Sequence, residues 1–273
     1  GHKAGVESII NIVKECDEIG VKYLTLYAFS TENWKRPKDE VSALMNLIVE
    51  YLKRELDEMH RNNVKIKSMG DLTKLPDKCR KALEDAFEKT KDNTGVVLNI
   101  ALNYGGRDDI IRGVKSLVKD VQEGKLSIDD INEGMFNDYL YTKNIPDPDL
   151  IIRPSGEQRL SNFLLWQCAY SEFSYSDINW PDFKPQNLIE AIYDMIDQNR
   201  EACSALILGN TSSTVLKRMI ALAKKDSIAY WRKELPMARD AELEMMYTHL
   251  SNGLMHVVVE DYDQYSKEEI IRF

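Results

Sequence analysis

A chain of 273 residues with 43% hydrophobic residues can bury a substantial core, as one large domain or one domain with an appendage. Its net charge of −9, with no basic run to offset it, argues against non-specific nucleic-acid binding. Cys16, Cys79, Cys168 and Cys203 lie far apart without a Cys-x-x-Cys spacing, which points to a reducing, cytoplasmic compartment and to neither a disulfide framework nor a zinc site. No run of about 18 apolar residues predicts a membrane span, and no signal peptide is visible. Because the chain opens on Gly1 and not on methionine, residues upstream of it are expected.

Residues 3–19 place Ile9, Ile10, Ile12 and Val13 on one face and stop near Gly20, the pattern of a helix. Val21 to Phe29 is an uninterrupted apolar run and predicts a buried parallel strand. It ends in Ser30-Thr31-Glu32-Asn33-Trp34-Lys35-Arg36-Pro37, after which a long amphipathic helix is expected from about Lys38 to His60. A strand over Val64 to Met69 stops at Gly70-Asp71, a helix follows over 77–91, and Gly95 to Leu102 predicts a further strand. That strand runs into Asn103-Tyr104-Gly105-Gly106-Arg107 and a helix over 108–122. Glycines at such a turn let backbone approach a ligand, and a helix start favours an anion, although many Gly-Gly turns serve geometry alone.

Leu150 to Ile152 predicts another buried strand, and a helix is expected over 185–199. The alternation of strand and helix indicates an α/β fold, a parallel sheet flanked by helices. Polar clusters at 30–36, 103–107 and 153–161 each follow a strand, so they should converge on one edge of that sheet. Beyond residue 200 the character changes. Residues 211–231 read as a helix broken at Pro236, a second helix is expected to about Leu250, and Leu254 to Val259 reads as a strand. The chain is thus divided into 1–200 and a mainly helical C-terminal extension, 201–273, whose role is not legible. No internal repeat or low-complexity segment is present.

The chemistry concentrates in 149–183. Arg153, Glu157, Arg159 and Ser161 fall within nine residues around a Ser-Gly turn, directly after the run Leu150 to Ile152. Two guanidinium forks and a hydroxyl at the carboxyl end of a strand suit a phosphate, and Glu157 is placed to hold one fork by a charge-assisted pair. Most Arg–Glu neighbours are ordinary surface pairs. Here Phe163, Leu164, Leu165 and Trp166 follow at once, so the cluster borders the core and reads as an anion site. Glu172 has no obvious basic neighbour, and a metal ligand is one reading of it. Trp180-Pro181-Asp182-Phe183 reads as structural, and His60 as a surface residue at a helix end.

These segments resemble the signature regions of the cis-prenyltransferases, with the match closest to the bacterial undecaprenyl diphosphate synthases, or isoprenyl transferases. The resemblance rests on 30–37, 103–107 and 149–183 in the right order, with Gly1-His2-Lys3-Ala4-Gly5 similar to the end of the family's first region, and it covers about residues 1–200. It implies a transferase that condenses isopentenyl diphosphate with an allylic diphosphate such as farnesyl diphosphate. The product would be a long cis-polyprenyl diphosphate such as undecaprenyl diphosphate, precursor of the cell-wall lipid carrier. It further implies Mg2+ as cofactor, a homodimer, and a cytoplasmic enzyme peripheral to the membrane into which its product partitions.

By the same resemblance Arg153, Arg159, Leu160 and Ser161 hold isopentenyl diphosphate, and Glu172 ligates magnesium. Asn33 occupies the position assigned as proton acceptor, and His2, Ser30, Thr31, Glu32, Trp34 and Arg36 lie at the substrate site. A carboxamide is a poor base, so Asn33 is read as a positioner of the proton transfer. The product needs an apolar tunnel, for which the helix Val41 to Leu56 and the strand Val96 to Ala101 are candidates, although most of their apolar residues are ordinary core.

The family also begins with a strand and a loop, Asp-Gly-Asn-Gly-Arg-Trp, whose aspartate serves magnesium and catalysis. On the resemblance that segment belongs ahead of Gly1, so the chain is read as truncated at its N-terminus: a fragment of a complete enzyme, or a chain that has lost catalysis. The alternative is a non-catalytic partner subunit of the same fold that stabilises an active synthase. A generic nucleotide-binding domain is disfavoured, since no Gly-x-Gly-x-x-Gly or Walker loop occurs.

Overall fold

The computed structural model describes residues 2–198, 224 and 227–260. The chain divides into two compact units, Gly1–Lys184 and Pro185–Phe273. In the first unit, parallel strands are flanked by helices, as the alternation predicts. Helix α1 (His2–Ile19) leads into β1 (Tyr23–Ser30), α2 (Lys38–Arg61), β2 (Lys65–Met69), α3 (Asp77–Thr90), β3 (Val97–Tyr104) and α4 (Gly106–Gln122). A short α5 (Glu133–Asn137) precedes β4 (Leu150–Arg153) and β5 (Glu172–Tyr175).

Strands β1, β3 and β2 form one parallel sheet in that spatial order, and β4 pairs in parallel with β5 in a second. The central β3 is buried along nearly its whole length, with Leu98, Ala101, Leu102 and Tyr104 closed to solvent. The reading of 21–29 as a buried strand is corrected here. The strand starts at Tyr23, and among its residues only Phe29 is buried while Tyr23 is 40% exposed. Among the described strands β1 pairs with β3 alone, so one of its edges lacks a neighbour. The apolar run reports β propensity, not the position of the strand in the sheet. Strand β5 was also not expected, because Glu172-Phe173-Ser174-Tyr175 lies inside a polar segment.

The helices obey simple end rules. Helix α2 starts after Pro37, carries Asp39 and Glu40 in its first turn and His60 and Arg61 in its last, all favourable to its dipole. Its apolar face buries Val41, Met45, Leu52 and Met59. Helix α1 buries Ile12, Val13, Cys16 and Ile19, and rests on the turn Trp180–Asp182. There the Trp180 indole N–H donates to the Gly5 carbonyl at 3.1 Å and the Ser8 hydroxyl to the Pro181 carbonyl at 3.0 Å. The Trp-Pro-Asp-Phe motif is structural, as expected, and packs against α1.

The second unit opens with α6 (Pro185–Gln198). Residues 227–234 are helical, a turn around Pro236 breaks them as predicted, and α7 (Asp240–Glu260) follows. Trp231 packs on Tyr247 with ring centroids 6.0 Å apart, and Leu243 is fully buried. The expected strand 254–259 is overturned, because those residues continue α7. The helix is launched at Arg239, whose backbone N–H donates to Glu242 at 2.8 Å, and once started it propagates through the Val257–Val259 run. Most of the expected helix 211–231 falls outside the described residues.

Candidate active site

Strands β1 and β3 finish level with one another, Ser30 opposite Tyr104, after a bulge beyond Tyr27 that turns Phe29 inward. The loops that follow, 31–35 and 105–107, therefore leave the sheet side by side at its carboxyl edge, where open α/β sheets place ligands. The Trp34 indole N–H donates to Asn103 Oδ1 at 2.7 Å and the Asn103 amide to the Asp71 carbonyl at 2.8 Å, tying the ends of all three strands together. Within the first loop, Asn33 Oδ1 accepts from the Ser30 backbone N–H at 2.8 Å, which fixes the carboxamide.

The third polar segment joins them through Asn162. Its amide donates to Glu32 Oε1 at 2.8 Å, its Oδ1 accepts from the Arg107 N–H at 2.9 Å, and its carbonyl accepts from the Gly106 N–H at 2.7 Å. This corrects one reading of the Gly-Gly turn. Gly105 has φ −156°, an extended value open to any residue, and the space left by its missing side chain is filled by Thr31 and Asn162. The first two amides of α4 are likewise capped by Asn162 and do not point at an open anion site.

Tyr27, hidden within the apolar run, is a second junction. Its ring stacks on Phe163 at 4.4 Å, and its hydroxyl donates to the Tyr104 carbonyl at 3.1 Å and approaches the Ser161 carbonyl at 3.5 Å. Burial pushes this phenol up to about 12, the Glu32 carboxylate adds to the effect, and the Arg153 guanidinium opposes it. Arg153 thus faces the same centre. Its Nε is buried and has no hydrogen-bond partner among the described residues. Burial works to raise the Glu32 carboxyl. Hydrogen bonds from its own backbone N–H and from Asn162, Ser30 and Thr31 outweigh burial and hold it below its ordinary value.

Arg159 Nη1 lies 2.5 Å from Glu157 Oε2, the pairing read from the sequence. Leu160 packs against the buried cluster of Met69, Ala101, Tyr104 and Ile151, and Ser161 and Asn162 both adopt positive φ, +50° and +64°. Arg36 instead pairs with Glu40 at 2.6 Å on the exposed start of α2. Glu172 opens β5, its backbone N–H bonded to the Asp149 carbonyl at 2.9 Å. His2 is the first residue of α1, and its side chain lies outside the described residues. Behind the site, buried Asp109 accepts from the Tyr141 N–H and from Arg112, each at 3.0 Å, and Arg112 stacks on the Tyr141 ring at 3.8 Å.

Sequence reasoning missed Tyr27, Asn103 and Asn162. Asn103 stood inside a polar cluster already singled out and Asn162 one residue beyond another, and their partners were unknown. Tyr27 had no signal, since a tyrosine in an apolar run reads as core.

The chain is similar to known proteins. The family model described as putative undecaprenyl diphosphate synthase matches residues 1–202. An isoprenyl transferase of Clostridium perfringens is 69% identical over 201 residues, 74% of this chain and 79% of that protein. The ditrans,polycis-undecaprenyl-diphosphate synthase ((2E,6E)-farnesyl-diphosphate specific) of Micrococcus luteus is 52% identical over 200 residues, 73% of this chain and 80% of that one. Lavandulyl diphosphate synthase from Lavandula x intermedia, solved with dimethylallyl diphosphate, superposes with a TM-score of 0.69 at 35% identity, covering 71% of this chain and 84% of its own. A probable undecaprenyl diphosphate synthase from Campylobacter jejuni gives 0.64 at 36% identity, covering 71% and 89%. With its signature segments joined at one sheet edge and its first 202 residues matched by the family model, the chain belongs to the undecaprenyl diphosphate synthase family, the cis-prenyltransferases.

Proposed function

We propose that this isoprenyl transferase joins isopentenyl diphosphate to an allylic diphosphate, farnesyl diphosphate or one like it, and repeats the step to build a long cis-polyprenyl diphosphate. In each step the allylic carbon–oxygen bond breaks, a carbon–carbon bond forms to the isopentenyl unit, and one proton leaves that unit. The observation that carries the reading is the meeting of three polar segments at Asn162, in the segment that also holds Arg153, whose Nε lacks a hydrogen-bond partner among the described residues. A buried guanidinium donor without an acceptor is costly, and a diphosphate oxygen is the acceptor it suits.

In this reading Arg153, Arg159 and Ser161 bind the isopentenyl diphosphate, with Leu160 anchoring their loop in the core. Ser30, Thr31, Glu32, Trp34 and Arg36, with His2, belong to the substrate side formed by β1 and the turn after it. Asn33, its oxygen already accepting from Ser30 N–H, orients the group that loses the proton and does not itself act as a strong base. Among the described residues no three His, Cys, Asp or Glu side chains gather as a metal cage, and Glu172 is a single carboxylate. That donor set fits Mg2+, which is held by one or two carboxylates together with substrate phosphates. Bound at Glu172, the ion would neutralise charge on the diphosphate.

A homodimer is part of the proposal. The exposed stripe Ile111, Val114 and Val118 along α4 supports it as a surface for a second copy. No described helix is long and apolar enough to cross a membrane. The enzyme is placed in the cytoplasm at the membrane periphery because its product is a membrane lipid.

The test is calorimetric titration of isopentenyl diphosphate with Mg2+ into the chain and into Arg153→Ala. Loss of a charge-assisted bond of about 1.5–3 kcal/mol should weaken binding roughly tenfold to a hundredfold. An unchanged affinity would remove Arg153 from the clamp.

A further inference from the structure

We propose that Asn162 is the positioning residue of this site: its carboxamide locks the loop of Arg159 and Ser161 to Glu32 on one side and to the start of α4 on the other. The proposal rests on the reading of 153–161 as the diphosphate clamp. Three hydrogen bonds of 2.7–2.9 Å leave this one residue for two other polar segments. Both ends of the amide are used, the nitrogen as donor to a carboxylate and the oxygen as acceptor from a helix N-terminal N–H. Neither aspartate nor leucine would satisfy both partners.

The backbone around it is held as well. Ser161 and Asn162 are consecutive residues in the left-handed region, where asparagine is tolerated and serine is less so. The Asn162 amide nitrogen would lie only 2.7 Å from a side-chain carbon on Gly105, so the turn of β3 into α4 is shaped to receive it. Ser161 cannot keep its place if Asn162 is released, because the two share a peptide bond. The carboxamide is engaged at both ends by Glu32 and the Arg107 N–H, which makes its role geometric.

Substitution at Asn162 alone tests this, since Glu32 itself lies on the substrate side. Asn162→Asp keeps an acceptor for the Arg107 N–H but sets a carboxylate against Glu32, and Asn162→Ala removes both side-chain bonds. Two readouts are taken on the full chain: calorimetric affinity for isopentenyl diphosphate with Mg2+, and hydrogen exchange of the Arg107 amide. Asn162→Asp should weaken binding about tenfold, equivalent to about 1.4 kcal/mol, with the thermal midpoint little changed, and Asn162→Ala at least as much. Protection of the Arg107 amide should fall in Asn162→Ala and persist in Asn162→Asp.

Wild-type affinity in Asn162→Asp would overturn the positioning role and leave the clamp standing. Failure of the wild type to bind isopentenyl diphosphate would overturn the clamp, and the role of Asn162 with it. A loss of affinity matched by an equal loss of folding stability in the same variant would reduce Asn162 to a purely structural residue.

Discussion

Gly105→Ala separates the fold from the site within one substitution. A Cβ there would lie 2.6 Å from Thr31 Oγ1 and 2.7 Å from Asn162 Nδ2. To reach ordinary contact the two atoms must withdraw by about 0.8 and 0.7 Å. Both are ends of side chains, and the extended φ of −156° admits alanine without strain. The cost to folding should therefore sit near the lower end of the usual ~1–3 kcal/mol for overpacking, a fall of a few degrees in Tm at about 2–4 °C per kcal/mol. The cost to the site is larger. Withdrawal of Asn162 Nδ2 stretches its 2.8 Å bond to Glu32 beyond hydrogen-bonding length, and a charge-assisted bond contributes about 1.5–3 kcal/mol. Thermal unfolding and isopentenyl diphosphate titration on the same preparations should show a small shift in Tm beside a roughly tenfold or greater loss of affinity. Wild-type affinity would refute the link from Gly105 to the clamp. A variant too unstable to titrate would show that Thr31 and Asn162 cannot withdraw, and the reasoning from side-chain mobility would fall.

The contrasting glycine is Gly70, where φ is +114° and a Cβ would meet the Leu102 backbone oxygen at 2.0 Å. Backbone cannot retreat as a side chain can, so Gly70→Ala should cost about 1–3 kcal/mol of strain and a similar sum for overpacking. Gly20→Ala, with φ +84° and open space around it, should incur the strain alone; equal losses in urea unfolding would defeat the argument. The Tyr104 hydroxyl is buried within reach of Asp109 and the Gln167 side chain, so Tyr104→Phe, which removes only that hydroxyl, should cost no more than about 1 kcal/mol. A loss of more than that would reveal a bound water or other partner.

Asp109 gives a dependence on pH. Burial raises its carboxyl above the ordinary value, against the pull of the Tyr141 N–H and Arg112. Between the unfolded pKa of about 3.9 and that raised value the folded chain holds a proton that the unfolded chain has released, so stability falls as pH rises through the window. Asp109→Asn cannot titrate, and its stability relative to the wild type should improve as pH rises from about 4. Denaturant midpoints for both proteins across that range check the sign, and an opposite slope would mean that pairing with Arg112 outweighs burial.

Local pattern was enough for most of the first unit. The runs at 21–29, 64–69 and 95–102, the proline before α2 and the glycine after α1 mark elements through near-neighbour sterics and periodicity, and the strands fall within one to two residues of those bounds. The chemistry proposed for the site starts from the same kind of pattern. Guanidiniums, a hydroxyl and carboxylates after strand ends read as an anion site, and the order of the segments identifies the family. Where the sequence misled, a competing local preference was the cause: three valines at 257–259 read as strand, yet a helix already launched at Arg239 carries them along.

What only the tertiary structure decided is which groups meet. That β1 is half-exposed, that β4 pairs with β5, and that Asn162 spends its amide on Glu32 and on α4 all depend on residues 22 to 130 positions apart in the chain. No local periodicity encodes such separations. Hydrogen bonds of side chains carry no preference for sequence distance, and they are fixed only when the sheet has set which loop ends lie level with one another. The residue types proposed for the site are written in the sequence, whereas the junctions at Tyr27 and Asn162 exist only because the sheet sets Ser30 level with Tyr104 and brings their loops side by side.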